Sequence, residues 1–200
     1  MLSSVASAPT PVVDPAPRVL PGRPVRVYDS WWTVSAAALG AVLVLVGALW
    51  FSAHVRTDPA LHSAALFAHL ASLVLGFGAV LSADYHGLLW AMGRCSFEEV
   101  LAATSRLHVP IWAGLGGLVA SGAMLHPDLH SPLTAVKLGL VLTLTLNGLQ
   151  AGLLGRRLAA SPGTPIRRRM LAWGGATALV SQACWWGAVT IGFVNTSNAA

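Results

Sequence analysis

Five long stretches without formal charge constrain this chain more than any motif does. No charged residue lies between Asp29 and His54, and positions 34–53 are almost wholly apolar. Positions 60–83 and 107–127 carry no charge, 129–155 carry only Lys137, and none follows Arg169. A helix needs about 20 apolar residues to cross a bilayer, and each stretch is long enough. The reading is an all-α polytopic membrane protein: five transmembrane helices in a bundle over 31–200, with spans near 33–53, 61–83, 107–126, 132–154 and 170–193. Alternation of period 2 is missing, which argues against a β-barrel. Only 10% of the residues are charged, against about 25% in soluble domains. A hydrophobic content of 55% argues equally against disorder.

Positive residues orient such a chain. Arg18, Arg23 and Arg26 precede the first span, Arg94 and Arg106 flank the second loop, and Arg156, Arg157, Arg167, Arg168 and Arg169 occupy the fourth. These segments share one side and hold 10 of the 12 Lys and Arg residues. The expected topology has the N-terminus in the cytoplasm and the C-terminus outside, in the inner (cytoplasmic) membrane. The basic loops need anionic lipid heads and no nucleic acid. Residues 1–30 hold Pro9, Pro11, Pro15, Pro17, Pro21 and Pro24 and read as a disordered cytoplasmic tail. No early apolar run suggests a signal peptide. In the fourth loop Ser161-Pro162-Gly163-Thr164-Pro165 reads as a turn. In the second, Ser96-Phe97-Glu98-Glu99 reads as an N-cap into a short amphipathic helix.

Seven histidines are the main chemical signal. With about 1.5 Å of rise per residue, His54, His62, His69, His126, His130 and Lys137 fall in the outer half, and His86 and His108 in the inner half. His62 and His69 are seven apart and share a helix face that Gly76 and Ala83 extend. Gly76, Gly114, Gly116 and Gly117 suit close helix packing. His69 lies near mid-depth, where a polar side chain needs a partner. A backbone carbonyl or Asn147 could supply one, or the ring could hold a ligand. Lys137, the sole lysine, either snorkels to the interface or faces the histidines. His126-Pro127-Asp128-Leu129-His130 carries imidazoles and a carboxylate that suit copper or zinc. The candidate metal set is His62, His69, His126 and His130, and the candidate cofactor set is His62, His69, His126 and Lys137. As axial haem ligands on facing helices, His62 and His126 match best in depth.

Other polar residues read as structural. Thr143, Asn147 and Gln150 on span four, and Thr177, Ser181 and Gln182 on span five, suit interhelical hydrogen bonds. Asp84-Tyr85-His86 reads as an interfacial cap, possible neighbour of His108. Cys95 and Cys184 are too far apart in depth to pair. Nucleotide-binding and nucleophile-elbow motifs are missing.

Residues 131–142, Ser-Pro-Leu-Thr-Ala-Val-Lys-Leu-Gly-Leu-Val-Leu, followed by Asn147 and Arg156-Arg157, resemble the penultimate helix of copper-resistance protein D-like membrane proteins. HemJ-type protoporphyrinogen oxidases carry a similar Lys-Leu helix after a His-bearing helix, which here would be Phe67-Ala68-His69-Leu70. The resemblance covers about 61–157, and His69 and Lys137 are the residues that match it. A Trp usual soon after that His is missing from 71–78. The resemblance implies a helical bundle handling a metal or a tetrapyrrole. The expected function is therefore binding of copper or haem b in metal transport or membrane electron transfer. The alternatives are a non-catalytic subunit or assembly factor that associates with other membrane subunits, and a protoporphyrinogen oxidase-like enzyme.

Overall fold

The computed structural model describes residues 31–159 and 168–198. The proline-rich tail and the Ser161–Pro165 turn lie outside them. Five helices follow in order: α1 (Trp31–His54), α2 (Pro59–Ala91), α3 (Phe97–Met124), α4 (Pro132–Ala159) and α5 (Arg168–Asn198). All five are long and apolar enough to cross a membrane. Their exposed apolar side chains, such as Leu43 and Val44 on α1, Val74 on α2 and Leu179 on α5, suit contact with lipid.

The helices overrun the expected spans, α2 and α3 by the most. α2 continues to Ala91, and α3 already starts at Phe97. At about 1.5 Å per residue, the 33 residues of α2 exceed a hydrocarbon core of about 30 Å. Local chemistry accounts for this. Asp84 stays in the helix because Gln182 of α5 donates to its carboxylate. The Ser96 hydroxyl accepts from the Glu99 amide at 3.2 Å, while the Glu99 carboxylate accepts from the Ser96 amide at 2.7 Å. This capping box starts α3, and the expected short amphipathic helix is simply its first turns. α2 starts on Asp58, whose side chain accepts from the Leu61 amide at 2.8 Å, with Pro59 in its first turn.

Packing follows two close pairs. α2 lies on α3 where Gly76 meets Gly114 and Ser72 meets Gly117; a Cβ on Gly114 would collide with the Gly76 backbone. Lipid chains are as apolar as leucine, so close backbone approach supplies the attraction that water would otherwise enforce. α4 lies on α5, where Leu140 packs over Gly187 and the buried Asn147 side chain donates to the Thr177 carbonyl at 2.8 Å. Gln150 in turn donates to Asn147 at 3.0 Å, whereas Thr143 turns back on the Gly139 carbonyl of its own helix. The pairs meet through Trp185 of α5. This ring is 2% exposed, stacks on Phe77 at 5.4 Å and covers Gly76. α1 packs on α4 and α3 and buries little beyond Ser52.

Candidate functional site

Between the two pairs lies a cavity of about 480 Å³ that all five helices line. Its wall is mostly apolar, with Leu45 from α1, Leu118 from α3, and Trp185 and Phe193 from α5. His69 of α2 and Lys137 of α4 bring basic groups to it, and Thr134 of α4 a hydroxyl. His69 and Lys137 are half-buried. Lys137 runs along α5 past Gly192, where a Cβ would sit 3.6 Å from its Nζ. It lines the cavity, where His69 is the one histidine among the described lining residues.

His69 owes its chemistry to Ser121 of α3. The Ser121 hydroxyl donates its single hydrogen to the Gly117 carbonyl one turn back. Its oxygen is then the acceptor for His69 Nδ1, 3.0 Å away. In the Nδ1–H tautomer the neutral ring donates to Ser121 and leaves its Nε2 lone pair open. That arrangement, with one ring nitrogen tied to a protein acceptor and the other left basic, is the one metal-ligating histidines adopt. Asn147, the partner considered from sequence, is engaged with Thr177 instead.

The remaining predicted residues lie elsewhere. His62 is exposed on α2. His126 is past the end of α3, exposed, with a positive φ of 49°. Its Nε2 donates to the Val55 carbonyl at 2.6 Å and its Nδ1 lies 3.3 Å from the Thr57 hydroxyl. It clips the α1–α2 connection onto α3. His130 is exposed, its amide bonded to Asp128 at 2.9 Å. His54 bonds back to the Trp50 carbonyl at 2.8 Å and stacks on that ring. Among the described residues, no group of three or more His, Cys, Asp or Glu could hold a metal ion. The expected gathering of His62, His69, His126 and His130 is thus corrected to His69 alone, accompanied by Lys137. Rise per residue orders these groups by height, but it does not say which way around the helix axis each one faces.

Sequence reasoning missed Ser121, Trp185 and the partner of Asp84. Trp185 lines the cavity and keeps a buried indole N–H without a hydrogen-bond partner. Gln182 joins Asp84 to Trp186, whose indole donates to it at 3.0 Å. His69 and Ser121 sit 52 positions apart, so only the three-dimensional crossing of α2 and α3 pairs them.

Five helices long and apolar enough to cross a membrane, around a cavity lined by a histidine and a lysine, are the architecture of a multi-pass membrane protein. No protein-family model matches this chain, and neither a curated protein nor a solved structure matches it.

Proposed function

We propose that this is an inner-membrane protein, N-terminus in the cytoplasm, that binds haem b or a related tetrapyrrole in the cavity between the helix pairs and serves membrane electron transfer. One observation carries the reading: His69, bonded to Ser121 through Nδ1, lies on an apolar cavity wall that also holds a cation, Lys137. A tetrapyrrole asks for those features: apolar walls for the macrocycle, an imidazole for the iron and a positive charge for a propionate. Bound haem would supply one-electron chemistry. His69 would hold the iron, Ser121 would orient the ring, and Lys137 would pair with the carboxylate.

Copper fits less well, because it needs several donors gathered at one point. Ten of twelve positive residues on one set of loops support the orientation. A second reading, oxidation of a porphyrin, has its own support: His69 and Lys137, the two residues carried by the resemblance, are the two predicted site residues that share this cavity. The test is an absorption spectrum with metal analysis of the purified protein. A Soret band is expected. A colourless, iron-free preparation from haem-replete cells would reject haem. Rescue of a strain lacking protoporphyrinogen oxidase would then select the second reading, and failure of a well-expressed protein to rescue would reject that too.

A further inference from the structure

A second cavity, of about 340 Å³, lies between α1, α3 and α4. Its polar groups are engaged: Thr33 and Arg156 each have a partner, and Trp112 donates its indole N–H to His108 Nε2 at 3.0 Å. Two glycines of α4 close on these rings. A Cβ on Gly152 would sit 3.4 Å from the His108 ring, and one on Gly148 would sit 3.3 Å from Trp112. The cavity between the helix pairs differs. Its lining holds two donors of α4, the Lys137 ammonium and the Thr134 hydroxyl. Neither has a hydrogen-bond or ion-pair partner among the described residues. Thr134 is only 6% exposed and Lys137 is half-buried. Polar groups taken out of water in this way cost free energy until another group replaces that water.

Spacing and surroundings say what that group is. Residues three apart on a helix are neighbours, with Cβ atoms about 5–6 Å apart, so both donors can reach one small anion. Past this pair the α4 lining continues with Val141 and Leu144, and Trp185 of α5 lines the same cavity. Leu144 and Trp185 are buried in the apolar core. The anion therefore belongs to a molecule with an apolar body. One cation and one hydroxyl match the single charge and two oxygens of a carboxylate. A phosphate monoester would leave a second charge unpaired against an apolar wall. We infer that Lys137 and Thr134 form a carboxylate-binding subsite, Lys137 donating to one oxygen and Thr134 to the other. A tetrapyrrole propionate or a free long-chain fatty acid could supply that group. The first source rests on the tetrapyrrole reading; the subsite itself needs no iron.

The test compares acids with their esters on full-length protein in detergent. Haem b and haem b dimethyl ester are titrated by absorption, and oleate and methyl oleate by thermal unfolding. Haem b should bind roughly tenfold or more tightly than its ester. Thr134→Val keeps the side-chain shape and deletes the hydroxyl; it should weaken haem b roughly tenfold and leave the ester unchanged. Lys137→Gln should act in the same way, and Thr134→Ser should bind haem b as the unaltered chain does. Thr143→Val, at an exposed position on the same helix, should change neither titration. Equal binding of haem b and its ester, or equal weakening of both by Thr134→Val, would overturn the subsite and leave the tetrapyrrole reading standing. If haem b does not bind, yet oleate raises the melting temperature, methyl oleate does not and Thr134→Val abolishes the shift, the subsite stands with a fatty acid as its ligand and the tetrapyrrole reading falls. Absence of binding by haem b together with no preference for oleate would overturn both.

Discussion

The two cavities are built from the same kinds of residue and end with opposite chemistry. Each sets one histidine against a glycine of a neighbouring helix and adds one cation: His69, Gly122 and Lys137 in the first, His108, Gly152 and Arg156 in the second. What differs is the partner. At His69 a serine oxygen takes up the N–H and leaves a lone pair. At His108 a tryptophan N–H takes up the lone pair and leaves a donor. A metal ion needs the first arrangement; the second leaves a ring that can only donate. The residue type is therefore a poor guide to a buried histidine; its hydrogen-bond partner decides what remains to be used.

Filling the first cavity should have the largest effect. A Cβ on Gly122 would lie 3.5 Å from His69 Cε1, so the branches of Gly122→Leu must enter the space beside the ring. Haem content should fall to background, while Gly152→Leu leaves it unchanged. Ser121→Ala removes the acceptor that orients His69, and loss of such a supporting group costs about 10–100-fold in metal affinity. Haem titration into apoprotein should show that weakening, and Ser121→Thr should recover most of it. Lys137→Gln removes one charged partner, worth about 1.5–3 kcal/mol, and should weaken the same titration roughly tenfold or more. The smallest change is expected from Trp112→Phe. It deletes a hydrogen bond within α3, worth about 1 kcal/mol, and should lower the melting temperature slightly with haem content unaltered.

How much of this could be read in the chain follows from the same physics. The absence of charge marked all five helices, because a bilayer penalises charge over some 20 consecutive residues. Helix ends were harder. Asp84 and His86 looked like the end of α2, yet Gln182 and the Ser82 carbonyl give them partners and the helix runs on to Ala91. Heights of the histidines were legible and their directions were not, so His62 and His126 were grouped with a site they do not reach. His69 and Lys137 were legible as a polar side chain near mid-depth and as the sole lysine within an apolar run. Ser121, Trp112 and Gly152 were not, since one serine, tryptophan or glycine in an apolar helix carries no mark of what lies across from it.

The most direct test is a quantitative haem assay, by pyridine haemochrome, on three purified proteins: the unaltered chain, His69→Ala and His108→Ala. The account predicts stoichiometric haem in the first and third and none in the second. Full haem content in His69→Ala, or its loss in His108→Ala from a protein that still folds, would contradict the assignment of the ligand to the histidine whose lone pair is left open.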